Sequence, residues 1–458
     1  MGIARRSKHP RADHQLTTRR KGHALSIVRL GLELIGTRGL PPSILRLTLS
    51  PPKARLMKQG TGQCFAALTG ARRGAKLSCA CVSAAKGTAS AKAHEGRAPS
   101  AAFFDSPANQ LWRVGTAMRA LVYEGPRALV WHDLPELDLG TGEVLVAPLW
   151  NGICGSDLHA YQHATPRRTP PIVMGHEFSG RIVESCDSET ELKPAEVVAV
   201  RPVHWCGKCE LCLSGRENVC PQRMVIGVNR PGSYADVVAV SADQCVRLPE
   251  GLDPMVAALA EPVSVALHAL SRAGDFRGRE IVILGAGTIG LLAVIVARSM
   301  GAGRVTAVDV REVSLDHATR FGADVCVNAA EADSVEAVRK GSGGRGVPVV
   351  LEAVGSERTI QQAVSMAEPG GMVVLMGMGP QHVRVDALDV TAREIHLCGS
   401  YASGLDFADA IPILKARQDD LVQLIGPIWP FEQAIEAFED YDAHQHERFK
   451  VVIQHGRP

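Results

Sequence analysis

Four cysteines fall within the fifteen residues "CGKCELCLSGRENVC", at Cys206, Cys209, Cys212 and Cys220, with the spacing C-x2-C-x2-C-x7-C. Thiols this dense can form disulfides, an iron–sulfur cluster or a zinc site. No stretch reads as a secretory h-region, so reduced thiols and a metal are expected rather than disulfides. The bacterial ferredoxin run puts three residues before its last cysteine, where this one has seven. Four thiolates around tetrahedral Zn2+ fit without strain, and such a closed shell leaves no position for substrate. The expectation is a structural zinc that holds a lobe together and does no chemistry.

Reactive candidates lie upstream, in "NGICGSDLHAYQ" and "PIVMGHEFSGRIVE". A single Cys or His is more often a packed residue than a ligand. Together, Cys154, Asp157, His159, His176 and Glu177 supply thiolate, imidazole and carboxylate. These are the ligand types a catalytic zinc uses while keeping one position for water or substrate. The third protein ligand could be Glu177 or the Glu261 of "ALAEPVSVALHAL".

A third block, "REIVILGAGTIGLLAVIVARSMGAGRVTAVDV", runs from an apolar strand at 281–284 through Gly285-x-Gly287-x-x-Gly290 into an apolar helix ending near Gly301. A second strand is expected at 305–308, and Asp309 follows Gly290 by nineteen positions, where ribose hydroxyls are met. Glycines let the backbone approach a pyrophosphate at the helix N-terminus, with Thr288 and Ile289 in the same turn. An acid at position 309 would repel a 2′-phosphate, so NAD is expected rather than NADP.

The elements that must position these groups lie in an uneven chain. Residues 1–117 carry 20 Lys and Arg against 4 Asp and Glu, near +16; the whole chain's 50 against 48 leaves the remainder near −14. That arm has no sustained apolar period and reads as a basic, disordered extension. It could be sequence upstream of a start at Met118, a mitochondrial or plastid targeting segment, or a nucleic-acid contact. From Met118 the chain is patterned and charge-balanced, and no stretch reaches the ~18 apolar residues of a membrane helix. The protein is read as cytoplasmic, with organelle targeting by the arm as the alternative. Cys186, Cys245, Cys326 and Cys398 are read as buried, inert thiols.

From Met118 onward, 341 residues, the chain resembles the zinc-dependent medium-chain dehydrogenase/reductase family, with the sorbitol (polyol) dehydrogenase branch nearest. "GICGSDLH", "GHEFSG", the four-cysteine lobe and "GAGTIG" with Asp309 carry the resemblance in family order; "GSYADVVAV" and "LAEPVSVALHA" are smaller echoes. It implies an α/β chain: a GroES-like, β-rich catalytic domain at 118–264, a Rossmann doubly wound parallel-sheet domain at 265–400, and a return to the catalytic domain at 401–458. It implies that Cys154 and His176 bind zinc, with Glu177 adjacent and Glu261 completing the shell directly or through water. Asp157 would orient the ligand histidine. Ser156 and His159 would relay a proton from the substrate oxygen to solvent, and Val354, Gly355, Gly377 and Met378 would border the nicotinamide. The implied reaction is oxidation of a secondary, polyol-like alcohol to a ketone by a zinc- and NAD-dependent enzyme, a homodimer or homotetramer without membrane or nucleic-acid partners.

Departures bear on the substrate. Glu261 matches the polyol branch, but Ala402 in "REIHLCGSYASG" stands where sorbitol enzymes carry a substrate-contacting Arg, which argues against sorbitol itself. "PAEVVAV" and "RIVESCDSET" depart from the usual loops without touching a ligand, and Ser314 stands where many relatives put a basic residue near the adenosine ribose. Two other readings stay open: a threonine-type amino-alcohol dehydrogenase on the same scaffold, and a zinc-ribbon nucleic-acid binder using the arm and the four cysteines.

Overall fold

The computed structural model of the chain describes residues 112–185 and 191–456. Of the basic arm, read as residues 1–117, residues 1–111 lie outside the described residues, as does Cys186; its last six, 112–117, are strand rather than disordered. Strand structure begins at Trp112, six residues before Met118, where Trp112 and Arg113 pair with Leu137 and Glu136.

Two sheets organise the described residues. The first is mixed, and its strands run in the spatial order Cys245–Arg247, Val197–Val200, Glu177–Ser185, Glu143–Gly152, Lys450–Gln454 and Ile425–Pro430; Val238–Ser241 also pairs with Glu143–Gly152. Its two final strands come from the C-terminal segment, so residues separated by some 300 positions become neighbours: Val452 pairs with Gly152 and Ile453 with Asn151. Beside it, Trp112–Gly125 pairs with Ala128–Leu137 and Ile172–Val173. Leu121, Tyr123 and Tyr234 pack there against Phe431 and Phe438 around the C-terminal helix Ala434–Ala443, in one apolar cluster.

The second sheet has six strands, all parallel, ordered Val325–Asn328, Arg304–Asp309, Glu280–Leu284, Val347–Glu352, Ala367–Leu375 and His396–Gly399. In chain order this is 3-2-1-4-5-6, the doubly wound arrangement that binds dinucleotides where the order reverses. A parallel sheet covered by helices on both faces needs continuous apolar strands. "IVIL" is accordingly buried at all four positions. The helix Thr288–Ser299 is buried from Gly290 through Ala297, as its almost uninterrupted apolar sequence requires. Strand and helix limits differ from the sequence expectation by one or two residues.

Helix Ala260–Arg272 links the two sheets and belongs to the larger core cluster, with Ala260, Val263 and Leu267 packed among Ile281, Ile283 and Leu291. The limit expected at 264 falls inside this helix. Among the described residues no helix is long and apolar enough to cross a membrane.

Candidate active site and metal centres

Register brings the upstream candidates together. Gly152, at the end of its strand, pairs with Glu177, the first residue of the next. Cys154 therefore leaves the sheet at the same end at which His176 enters it, although 22 positions separate them. Gly175 allows the close turn before His176: its φ is +92°, and a Cβ there would lie 2.7 Å from Ser233 Oγ. Cys154 caps the helix Gly155–Gln162, and its sulfur accepts from Ser156 N at 3.4 Å and Ser156 Oγ at 3.3 Å.

Ligand atoms of Cys154, His176 and Glu177 lie within 4.8 Å of one another. Glu177 is fully buried; its Oε2 accepts from Lys450 Nζ at 2.6 Å, while its Oε1 has no hydrogen-bond partner. A buried, orphaned carboxylate oxygen beside a thiol and an imidazole is costly unless a cation satisfies it. The donor set thus fits Zn2+. Glu261 is also buried but stands outside this triplet. Burial pushes its carboxyl up to about 7; Glu177 adds to that, and His176 and Lys450 oppose it.

Asp157 has no solvent exposure. Its Oδ1 pairs with the Arg168 guanidinium and lies 3.4 Å from His176 Nδ1, and Oδ2 accepts from the Tyr234 hydroxyl at 2.9 Å. Burial alone would raise this carboxyl; Arg168 and His176 outweigh it and hold it far below the usual range. Arg168 also donates to the carbonyls of Ser156 at 2.7 Å and Gly227 at 2.8 Å. The carboxylate expected to orient the histidine is thus shared among Arg168, Tyr234 and His176. His159, by contrast, is exposed, its ring near His163, with no hydrogen bond to Ser156. The two stand one helical turn apart on the helix Gly155–Gln162, without a side-chain hydrogen bond between them.

Sequence reading missed Arg168, Tyr234 and Lys450. Tyr234 sits in the quoted "GSYADVVAV", and Arg168 is the second of two arginines in "TPRRTPPIV". Lys450 carried no signal, because only the return of the C-terminal strand sets it beside Glu177. Glu177 keeps this buried ammonium protonated against its desolvation.

The four lobe cysteines converge as well. Their sulfurs lie 3.4 Å (209–212), 3.6 Å (206–220), 3.8 Å (209–220) and 3.9 Å (206–212) apart. Zn–S bonds of about 2.3 Å in a tetrahedron require S···S edges of about 3.8 Å. The lobe is therefore dimensioned for one zinc ion.

The residues expected to bind the nucleotide gather at the switch point of the parallel sheet. A Cβ on Gly290 would lie 1.8 Å from the Gly285 carbonyl oxygen, so only glycine permits this turn. Gly287 caps the helix that Thr288 opens, leaving the first N–H groups of Thr288 and Ile289 without intrahelical partners. The Thr288 hydroxyl is engaged by the Phe449 carbonyl of the return segment. Asp309 Oδ2 accepts from Ala286 N at 2.7 Å and Oδ1 from Arg311 N at 2.9 Å. Arg311 lies 3.5 Å from the same carboxylate and also donates to the His446 carbonyl. Ser314 is fully buried, so the basic group beside Asp309 is Arg311. Gly355 and Gly377 abut at the ends of their strands, and Val354 and Met378 are half-exposed at the mouth.

Similarity to known proteins follows the same division of the chain. Residues 140–250 match the alcohol dehydrogenase GroES-like domain and residues 288–416 the zinc-binding dehydrogenase domain. D-xylulose reductase A of Aspergillus oryzae is 32% identical over 336 residues, 71% of this chain and 93% of that protein. Sorbitol dehydrogenase of Bacillus subtilis is 30% identical over 345 residues, covering 74% and 98%. Among solved structures, a zinc-binding dehydrogenase of Sinorhizobium meliloti bound to NADP has a TM-score of 0.70 at 30% identity, covering 74% of this chain and all of that one. Galactitol-1-phosphate dehydrogenase of Escherichia coli has 0.69 at 30% identity, with the same coverage. The chain belongs to the zinc-dependent medium-chain dehydrogenase/reductase family. Within it, the chain falls in the polyol branch, an oxidoreductase acting on secondary alcohols with zinc and a pyridine nucleotide.

Proposed function

We propose that Cys154, His176 and Glu177 hold the catalytic Zn2+, with Glu261 completing the shell directly or through water, and that Cys206, Cys209, Cys212 and Cys220 hold the structural one. The observation that carries the reading is the orphaned, buried Glu177 Oε1 within 4.8 Å of the thiol and imidazole. Bound there, zinc supplies Lewis-acid polarisation of an alcohol oxygen, and the nicotinamide supplies a hydride acceptor. The chain's own groups do the rest. Ser156 takes the substrate proton, His159 passes it to solvent, and Asp157, locked by Arg168 and Tyr234, keeps the His176 ring in place. Val354, Gly377 and Met378 flank the hydride path. The backbone at Gly285, Gly287, Thr288, Ile289 and Gly290 takes the pyrophosphate.

The cofactor is read as NAD, because Asp309 presents a carboxylate where NADP carries a phosphate and Arg311 is already engaged by that carboxylate and by His446. The strand His396–Gly399 is an edge of the parallel sheet with Leu397 39% exposed, which favours a homo-oligomer joined there.

The test is NADH formation by purified protein with xylitol, galactitol, ethanol and L-threonine. Oxidation of the polyols about tenfold or more faster than ethanol is expected; turnover of threonine with inert polyols overturns the reading. Asp309→Gly should narrow the ratio of NAD to NADP efficiency, and a wild type indifferent to the 2′-phosphate overturns the cofactor assignment.

A further inference from the structure

A cavity of ≈ 350 Å3 opens between the lobe, the loop at 225–229 and the segment after the last parallel strand, lined by Arg167, Arg223, Val225, Val228, Asn229 and Tyr401. None of its lining residues is acidic. Three other arginines of this domain find carboxylates: Arg168 meets Asp157, Arg201 meets Asp243, and Arg230 meets Glu143. Arg223 donates to the Cys220 carbonyl at 3.1 Å and lies 5.0 Å over the Tyr401 ring; Arg167 donates to Met378 Sδ at 2.8 Å. Among the described residues neither guanidinium has an acidic partner, although one small cavity holds both. Two like charges left together and unneutralised favour an anion between them.

The cavity lies beside the reaction site, linked to it through neighbouring residues. Arg168, next to Arg167, bonds the Ser156 carbonyl and Asp157 on one side and the Gly227 carbonyl on the other, and Gly227 leads directly into Val228 of the lining. Met378, which Arg167 touches, stands at the end of a parallel strand where the nicotinamide is read to lie. A substrate whose reacting carbon faces Cys154 and Ser156 would therefore extend its far end toward the two guanidinium groups.

We propose that Arg167 and Arg223 form an anion subsite, and that the preferred substrate is a polyol bearing a terminal phosphate ester or carboxylate. This rests on the polyol reading above. Planar guanidinium groups suit both anions bidentately, and a stacked arginine is pre-organised for that geometry.

Two measurements test it. In the first, kcat/KM is compared for a hexitol phosphate, a hexonate and the neutral hexitol. At least one anionic substrate should exceed the neutral one by about tenfold or more, and Arg223→Gln or Arg167→Gln should cut that ratio by about tenfold, with Arg223→Lys retaining part of it. Whichever anionic substrate leads identifies phosphate or carboxylate as the group recognised. A wild-type ratio near one, or a ratio unchanged in both glutamine variants, overturns the proposal. In the second, inorganic phosphate is titrated calorimetrically into the zinc-loaded enzyme saturated with NADH, which occupies the pyrophosphate site. Binding that is lost in Arg223→Gln, with an unchanged thermal midpoint, supports the subsite; absence of binding in the wild type counts against it. If neutral hexitols react and phosphate does not bind, the subsite fails and the polyol reading stands. If no hexitol reacts and arginine-dependent phosphate binding persists, the polyol reading fails and the subsite stands.

Discussion

Single side chains here draw their properties from what burial denies them. Cys245, Cys326 and Cys398, expected to be buried, are only partly so; desolvation first, then the nearby Asp243, still pushes the Cys245 thiol up to about 12, in keeping with an inert cysteine, and desolvation likewise raises Cys326. His455 carries the opposite consequence. Burial, with the Arg119 charge adding to it, pushes its imidazole down to about 3. Geometry gives the same answer, because its Nε2 faces the Asn151 amide nitrogen at 2.6 Å while the Asn151 oxygen accepts from Ser233 Oγ. A protonated Nε2 would meet a second donor. Between pH 6.5 and 3 the unfolded chain takes up a proton at this site and the folded chain does not. The associated stability is complete above pH 6.5 and declines as pH falls, by at most about 1.4 kcal/mol per unit. Urea unfolding at pH 7 and pH 5 should show a larger loss in the native sequence than in His455→Gln, by at most about 2 kcal/mol; equal losses would refute the assignment.

At the level of elements, the two proposed metal sites are built in different ways, and mutations should separate them. The lobe gathers its four sulfurs within one short stretch around the helix Glu210–Leu213, capped by Cys209, so a metal held there would substitute for a core the segment lacks. The other site is assembled from two strand ends and a returning strand that brings Lys450. Cys209→Ala should lower the thermal midpoint by on the order of 5–10 °C before it changes chemistry. Cys154→Ala or His176→Ala should reduce kcat/KM by about a thousandfold or more while NADH binding, followed by fluorescence, persists. Full activity in either of the latter, or an unshifted midpoint in the former, would reverse the roles.

For the molecule as a whole, chemistry sits where two sheets with different sequence logics meet. On the proposed reading, the mixed sheet offers its strand ends to a metal and the parallel sheet its switch point to a dinucleotide. Thr288 of one and Phe449 of the other are joined by a hydrogen bond beside the nucleotide turn. Purified protein should hold about two Zn2+ per chain. Mild chelation should remove one of them and the turnover together, leaving the far-ultraviolet circular dichroism unchanged; loss of the second should coincide with a fall in stability. Iron with acid-labile sulfide in elemental analysis would exclude this account.

Local spacing determined much of this by itself. The four-cysteine lobe, the glycine turn with Asp309, and the Cys154 and His176 blocks are legible because each depends on residues close in sequence, where metal or phosphate geometry dictates both type and interval. The apolar strands of the parallel sheet are legible for the same reason, since burial on both faces demands unbroken runs. Only tertiary structure decided which carboxylate stands with the thiol and imidazole. Glu177 joins them because Gly152 pairs with it, while Glu261 lies just beyond. It also set Lys450 beside that carboxylate, clasped Asp157 between Arg168 and Tyr234, and brought Arg167 and Arg223 to one cavity. These are pairings across tens to hundreds of residues, created by strand register and chain return, and no periodicity in the sequence encodes them.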